Sequence, residues 1–172
     1  EETLVSYVVR ELAHEKDLHG KKVLVTAGPT QEAIDPVRYI RNHSTGKMGY
    51  ALAEAAMLRG AEVTLISGPT AIEPPMFVNV IPIISAQEMF EKVATNATEN
   101  DIIIKAAAVA DYRPKEVCDE KIKKSDHDTE IELERTTDIL AYLGKNKGKT
   151  FLCGFSMETE NMLENSRRKL DK

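Results

Sequence analysis

KKVLVTAGPTQEAIDPVRYIRNHSTGKMGYALAEAAMLRGAEVTLIS, from Lys21 to Ser67, contains the pattern that decides the fold. It begins with a continuous apolar run that ends at Gly28-Pro29, which is typical of a strand buried on both faces. A helical pattern then extends over 46–59 and ends at a glycine, and a second apolar run follows over 61–67. A strand, a helix and a strand in this order predict a βαβ unit with parallel strands.

The rest of the chain continues this alternation. Further strands are predicted from apolar runs at 78–84, 102–110 and 150–155, and further helices at 4–12, 86–97, 139–147 and from about Glu158 onward. Ser85 and the pair Thr137-Asp138 precede two of these helices, where short side-chain oxygens can cap backbone amides. Segment 130–135 alternates polar and apolar residues, so we expect it at a sheet edge or outside the main sheet. The sequence therefore predicts an α/β fold of three layers, a mainly parallel sheet with helices on both faces.

The composition is that of one globular domain of ordinary size. The chain has 172 residues, of which 42% are hydrophobic and 30% charged. Its formal net charge of -5 argues against broad electrostatic binding to nucleic acid or to an anionic membrane. The two cysteines, Cys118 and Cys153, lack the spacing of a zinc site or a disulfide framework. No secretion signal or membrane-spanning apolar run is present, so a cytoplasmic location is expected.

The segment NHSTGKMGYALAEAAMLRGAEV, residues 42–63, resembles two nucleotide-binding motifs and matches neither. A phosphate-binding loop needs glycine where Arg41 stands and Ser or Thr where Met48 stands. A dinucleotide fingerprint needs glycine in place of Ser44 and an acidic residue after the second strand, which instead ends in Ser67-Gly68-Pro69. Both motifs are therefore excluded.

A helix N-terminus preceded by Ser44, Thr45 and Gly46 still offers backbone amides and a partial positive charge to a phosphate. The alternative is that the glycines only allow the helix to pack closely on the sheet. The loop from Gly28 to Thr45 is longer than ordinary strand-helix connections, which is typical of functional loops. His43 in this loop has no His or Cys partner at metal-ligand spacing.

A second group of polar residues follows the predicted strand at 102–110. Asp111 is expected at the carboxyl edge of the sheet, where it can bind ribose hydroxyls or a metal, or can simply form a turn. Lys121, Lys123 and Lys124 either neutralise a triphosphate or form a solvated charge run. Phe155 either stacks on a base or belongs to the core.

Five segments in chain order resemble the phosphopantothenate-cysteine ligase family. They are VLVTAGPTQEAIDPVRYIRNHSTGKMGYALAEAA (23–56), AAAVADYRP (106–114), EKIKK (120–124), TTDIL (136–140) and CGFSMET (153–159). The resemblance is greatest to the bacterial form, the C-terminal half of a bifunctional coenzyme A biosynthesis protein. It implies a Rossmann-like fold and a homodimer. It also implies that 1–19 form a connector helix from an absent FMN-dependent decarboxylase domain, and that 20–172 form a ligase domain truncated at its C-terminus.

The implied reaction joins 4'-phosphopantothenate to L-cysteine. CTP and Mg²⁺ would activate the phosphopantothenate carboxylate as an acyl-cytidylate and release pyrophosphate, and the cysteine amine would then displace CMP. Two other functions stay open. A nicotinamide or flavin oxidoreductase on the same fold predicts an acidic residue after the second strand, and a non-catalytic module would bind the nucleotide without releasing pyrophosphate.

The resemblance also implies site residues. Asn42 matches the asparagine that processes the acyl-cytidylate, and Lys121 matches the lysine of a flexible flap that favours its formation. Ser44 and Gly46 are candidates for triphosphate contact, and Arg38 and Asn42 for phosphopantothenate. Mg²⁺ is expected to be held mainly by the CTP phosphates, with no protein ligand assigned. The remaining CTP contacts fall on Lys105, Ala106, Ala107, Asp111, Lys121, Thr137, Asp138, Ile139, Leu140, Phe155 and Lys169.

Overall fold

The computed structural model describes residues 1–124, 129–146 and 148–156, together with Asn161, Glu164 and Arg167. The helices of the described part are α1 (Glu2–Leu12), α2 (Lys47–Leu58), α3 (Ala86–Asn96) and α4 (Ile139–Asn146). The strands are β1 (Lys22–Ala27), β2 (Gln31–Ala33), β3 (Tyr39–Arg41), β4 (Glu62–Ser67), β5 (Asn79–Pro82), β6 (Ile102–Lys105), β7 (Tyr112–Pro114), β8 (Leu133–Arg135) and β9 (Phe151–Gly154).

The main sheet consists of five parallel strands in the order β5-β4-β1-β6-β9. The chain moves outward from β1 through β4 to β5, and then returns to the other side of β1 with β6 and β9. The direction of winding therefore reverses between β1 and β6, and ligands of such sheets bind in the crevice at the carboxyl ends of the two strands. The predicted α/β, Rossmann-like fold is confirmed.

Two apolar clusters, one on each face of the sheet, form the core. Val23 and Val25 of β1 pack in one cluster with Ala53 and Met57 of α2. Leu24 of β1 belongs to the other cluster, which α3 and α4 supply with Met89, Val93, Ile139 and Leu143. Successive residues of a strand point to opposite faces, so β1 must be apolar throughout. This explains the continuous apolar run at the start of the quoted segment.

The hairpin of β2 and β3 lies inside the stretch that the sequence predicted as a long loop, residues 28–45. Short polar strands of three residues carry too little periodicity to be recognised. The segment 130–135 was expected at an edge or outside the main sheet, and its strand β8 pairs with β7 in a separate antiparallel sheet. That expectation is confirmed.

Two further predictions differ from the structure or extend beyond it. The apolar run 102–110 is a strand only to Lys105, and beyond it Ala108 forms an isolated bridge with Pro29. The predicted start of a helix near Glu158 lies outside the described residues. Helix α1 forms as predicted, but none of its residues is buried. Among the described residues, no helix is both long and apolar enough to cross a membrane.

Candidate functional site

The carboxyl ends of β1 and β6 are joined beyond the sheet by a ladder of hydrogen bonds. The amide of Ala108 donates to the Gly28 carbonyl at 2.9 Å, and the Thr30 amide donates to the Ala108 carbonyl at 3.2 Å. The Thr26 hydroxyl accepts from the Ala107 amide at 3.2 Å. Thr26 and Thr30 are fully buried.

This ladder decides which backbone atoms a ligand can reach. The amides of Ala106 and Ala107 both donate hydrogen bonds to Thr26, the first to its carbonyl and the second to its hydroxyl. The Ala110 amide likewise donates a hydrogen bond to the Thr30 hydroxyl at 3.0 Å. A ligand at the two predicted alanines must therefore use their carbonyl oxygens or methyl groups rather than their amides.

Lys105 ends β6 at the crevice, in register with Thr26 on one side and Gly154 on the other. Its half-buried side chain forms no hydrogen bond or ion pair with any described residue, although the charges of Asp138 and Asp111 act on it. Burial lowers the pKa of Lys105 to about 8, and the two carboxylates oppose this shift. The Lys105 ammonium, which has no hydrogen-bonded partner in the described part of the chain, thus lies at the predicted ligand position.

The two aspartates are brought together by Thr136. Its amide donates to the Asp111 carbonyl at 3.0 Å, and its hydroxyl donates to the Ala110 carbonyl at 2.6 Å. Asp138 caps α4, because its Oδ1 accepts from the Ala141 amide at 3.0 Å. The predicted cap is confirmed. The segment Thr137, Asp138, Ile139 and Leu140 therefore begins next to Asp111, although Ile139 is buried in the core.

Phe155 follows β9, the neighbour of β6, at the same edge of the sheet. Its side chain is 52% exposed. Of the two alternatives for Phe155, the core is therefore excluded, and its aromatic face is exposed to a ligand. Lys169, the remaining predicted CTP contact, lies outside the described residues.

Asn42 comes directly after β3 and reaches the segment after β6. Its Nδ2 donates to the Val109 carbonyl at 3.2 Å, which joins the hairpin to the crevice. Ser44 accepts from the Gly46 amide at 3.3 Å, and Thr45 accepts from the Lys47 amide at 3.5 Å. Two amides near the start of α2 are thus already paired, weakly, with hydroxyl groups.

The glycines of this turn are explained by packing. Gly46, at the N-cap of α2, has a φ of 80°, and an added Cβ would lie 2.8 Å from the Thr70 Cγ2. A Cβ on Gly49 would lie 2.5 Å from the Ala27 Cβ. The close-packing explanation is confirmed, and the anion site at Ser44 and Gly46 stays a prediction.

The predicted flap is the EKIKK segment, residues 120–124, and its three lysines line an open cavity of about 670 Å³. It is lined by Ile34, Arg38, Lys121, Ile122, Lys123, Lys124, Thr129 and Ile131. Arg38 is held there by Asp35, which accepts from the Arg38 Nε at 2.9 Å. The structure thus brings Lys121 together with Arg38. No hydrogen bond or ion pair between described residues joins Lys121 to Asn42.

Sequence reasoning assigned no role to several buried polar residues of this region. Glu32 accepts from the Ala86 amide at 2.9 Å and so joins the hairpin to α3. Asp35 and the two threonines Thr26 and Thr30 are buried as well. The Asp35-Pro36 pair signals a turn, but no local pattern shows that these side chains bond to distant segments.

Comparisons with known proteins agree with this architecture. Residues 18–172 match the model of the DNA/pantothenate metabolism flavoprotein C-terminal domain. The coenzyme A biosynthesis bifunctional protein CoaBC of Vibrio vulnificus (strain YJ016) is 51% identical over 160 residues, covering 91% of this chain and 40% of that protein. The CoaBC of Bacillus subtilis (strain 168) is 49% identical over 172 residues, covering 98% of this chain and 42% of that protein.

A crystal structure of the C-terminal domain of CoaBC superposes with a TM-score of 0.79 at 52% identity. The match covers 89% of this chain and 72% of that one. The chain thus spans about two fifths of the length of the curated relatives. With a family model that matches most of its length, the chain belongs to the family of the DNA/pantothenate metabolism flavoprotein C-terminal domain.

Proposed function

We propose that this chain is the phosphopantothenate-cysteine ligase part of a longer bifunctional coenzyme A biosynthesis protein. The observation that carries the proposal is 49 to 51% identity, over nearly the whole chain, to proteins named CoaBC. Because the match covers only 40 to 42% of those proteins, the proposal assigns this chain one of their two activities.

The reaction has two steps. A carboxylate oxygen of 4'-phosphopantothenate attacks the α-phosphorus of CTP, and the bond to the departing pyrophosphate breaks. The amine of L-cysteine then attacks the acyl carbon, CMP leaves, and the amine loses a proton. Both steps need a fixed nucleotide and cations near the developing phosphate charge, and neither needs a redox cofactor. FMN would belong only to the decarboxylase half.

The crevice between β1 and β6 suits a nucleotide. The proposed contacts to the base are the carbonyl oxygens at Ala106 and Ala107 and the exposed ring of Phe155. Carbonyl oxygens accept hydrogen bonds, so they favour a base with an exocyclic amino group, such as cytosine. Asp111 would accept from the ribose hydroxyls, and the Lys105 ammonium, which lacks a hydrogen-bonded partner among the described residues, would approach the phosphates.

Lys121 is proposed to neutralise the leaving pyrophosphate. It belongs to a group of four cations, with Arg38, Lys123 and Lys124, around one cavity. Such a group attracts a polyphosphate more strongly than a single lysine does. Arg38 would also approach phosphopantothenate, and Ser44 and Gly46 would contact the triphosphate at the start of α2.

Mg²⁺ is proposed to bind chiefly through the phosphates of CTP. Among the described residues, no group of three or more His, Cys, Asp or Glu side chains could hold a metal ion. A nucleotide-bound Mg²⁺ needs only one or two carboxylates and keeps several waters, which this set of donors allows.

The arrangement of the parent protein forms part of the proposal. Residues 1–19 are proposed as the connector from a decarboxylase domain and 20–172 as the ligase domain, which acts as a homodimer in the cytoplasm. The exposed apolar residues of α1, such as Leu4 and Leu12, support a connector that is covered by other parts of the assembly.

The test is pyrophosphate release from CTP by the full-length parent protein, with and without 4'-phosphopantothenate. We expect release only with phosphopantothenate, and cysteine adduct only when L-cysteine is added. Nucleotide binding without release would favour a non-catalytic module. Release that does not depend on phosphopantothenate would contradict the ligase. ATP in place of CTP measures the base preference in the same assay.

A further inference from the structure

The carboxylate of Asp35 is buried at the turn of the β2-β3 hairpin, and its side chain has no exposed surface. Its Oδ1 accepts from the amides of Val37 and Arg38, both at 2.8 Å. Its Oδ2 accepts from the Nε and Nη2 of Arg38 and, at 3.1 Å, from the amide of Ile122. Four of these five bonds lie within the turn or come from its arginine, and the fifth reaches a residue 87 positions away.

Arg38 completes the contact with Ile122. Its Nη2 donates to the Ile122 carbonyl at 2.8 Å, so the ion pair holds both the donor and the acceptor of one backbone residue. A second bond connects the same two segments, since the Cys118 amide donates to the Ile34 carbonyl at 3.0 Å. We name this arrangement of Asp35, Arg38 and Ile122 the clasp.

The clasp is charged at neutral pH. Burial raises the pKa of Asp35, but the hydrogen bonds from Arg38, Val37 and Ile122 outweigh burial and hold that pKa far below its ordinary value. An ionised carboxylate in a buried place needs all its hydrogen bonds, because losing one leaves part of its charge unsolvated. The hydrogen bond from the Ile122 amide therefore stabilises the buried charge of Asp35 as well as holding the flap.

Ile122 lies between Lys121 and Lys123. Neighbouring Cα atoms are about 3.8 Å apart, so fixing one peptide confines the backbone of both lysines. Residues 119–124 form no helix or strand, so this segment with three lysines depends on bonds to other segments, such as those of the clasp, for its order. We propose that Asp35, through Arg38 and Ile122, is a positioning residue that holds Lys121 where it neutralises the leaving group; this rests on the proposed function.

The test uses Asp35→Asn in the full-length parent protein. The asparagine carbonyl still accepts from Val37 and Arg38, so the turn is kept. Its NH₂ group cannot accept from Ile122. We expect at least about tenfold faster amide hydrogen exchange at Ile122 and about tenfold lower kcat for pyrophosphate release, with the KM for CTP changed less than about threefold.

A matched control is Asp17→Asn. Asp17 also pairs with an arginine, Arg59, at 2.8 Å, but on the exposed surface near the end of α2. It should leave both exchange at Ile122 and kcat unchanged. If Asp35→Asn fails to fold, Arg38→Lys replaces it, because lysine keeps the charge near Asp35 but loses the planar group that also reaches the Ile122 carbonyl.

The double variant Asp35→Asn, Lys121→Gln separates positioning from general damage. If Asp35 acts through Lys121, the double variant releases pyrophosphate as slowly as Lys121→Gln alone, within about twofold. Additive losses would overturn the proposal, as would unchanged exchange at Ile122 or unchanged kcat. A parent protein that releases no pyrophosphate would refute the ligase function instead, and exchange at Ile122 would still decide whether the clasp orders the flap.

Discussion

The side-chain amide of Asn42 donates a 3.2 Å hydrogen bond to the carbonyl oxygen of Val109, across 67 residues of chain. This bond joins the end of the β2-β3 hairpin to the segment that leaves β6, so Asn42 stands at the crevice where the nucleotide is proposed to bind. Its partner carbonyl can only accept, and the asparagine must therefore present its NH₂ group to Val109.

Asn42→Asp should uncouple the two steps of the reaction. A carboxylate cannot donate to Val109, and its charge opposes an anionic acyl-cytidylate. We expect pyrophosphate release within about threefold of wild type, but about 100-fold less cysteine adduct, because only the second step needs the asparagine. Measuring both products in one reaction checks this.

Asn79→Asp introduces the same charge at an exposed position of β5, far along the sheet from the crevice. It should leave both products at wild-type levels. Equal losses of pyrophosphate and adduct in Asn42→Asp would show that Asn42 serves the first step as well.

Lys121→Gln should slow pyrophosphate release about 100-fold or more, because the leaving group loses the cation that neutralises it. Initial rates with saturating CTP and phosphopantothenate measure this. Lys115→Gln is the matched control, since Lys115 precedes the flap and pairs with Glu132 at 2.9 Å. A loss of rate in Lys115→Gln as large as in Lys121→Gln would point to general charge rather than to one positioned lysine.

Lys105→Met should change how stability depends on pH. The pKa of Lys105 is about 8 in the folded protein, below its ordinary value of 10.5. Between these values the unfolded chain binds more protons, so the folded state of the wild type gains stability as pH rises from 8 to 10.5. Below pH 8 both states are protonated, and the full cost of the half-buried charge is present.

Methionine removes that cost at every pH. The free energy of unfolding of the variant should therefore exceed that of the wild type most strongly below pH 8. Between pH 8 and 10.5 this difference should change by about 1–3 kcal/mol. The difference should shrink as pH rises toward 10.5. Urea denaturation at several pH values measures it, and a difference that stays constant with pH would contradict the assigned shift.

Gly49→Ala should destabilise the fold by several kcal/mol, about 2–5. The new Cβ would lie 2.5 Å from the Ala27 Cβ and 3.0 Å from the Thr26 carbonyl oxygen, so α2 would have to move away from β1. Gly144→Ala is the matched control in α4. An added Cβ there has no heavy atom within 4 Å, so alanine should be neutral or stabilise by up to about 1 kcal/mol. Thermal or urea denaturation compares the two, and similar effects would contradict the close contact.

Much of the fold could be predicted from local patterns. The strands of the main sheet are short apolar runs bounded by glycine, proline or polar residues. The Ser85 cap was predictable because a short polar side chain directly precedes a helical pattern. In the structure the Ser85 hydroxyl accepts from the Glu88 amide at 3.2 Å. The three-residue strands β2, β3 and β7 were missed, because such short segments have no clear period. The sequence left Phe155 open between base stacking and the core, because apolarity alone does not reveal whether a side chain at a strand end is exposed.

The candidate site was predictable only in part. Lys121, Asn42 and Asp111 stood out through motifs that resemble a known family. Asp35 did not, because its five hydrogen bonds satisfy a buried charge and carry no motif of their own. The role of a buried carboxylate follows from its hydrogen-bond partners, and these are known only from the folded structure.

The sequence by itself determined the alternation of buried strands and helices, and with it a parallel sheet, because burial period and turn residues are properties of neighbouring positions. The tertiary structure alone decided which distant groups meet: Asp35 with Ile122, Glu32 with Ala86, and Asn42 with Val109. These pairs form because the strands of the main sheet are parallel, so the loops that follow them meet at one edge although they are far apart in the chain.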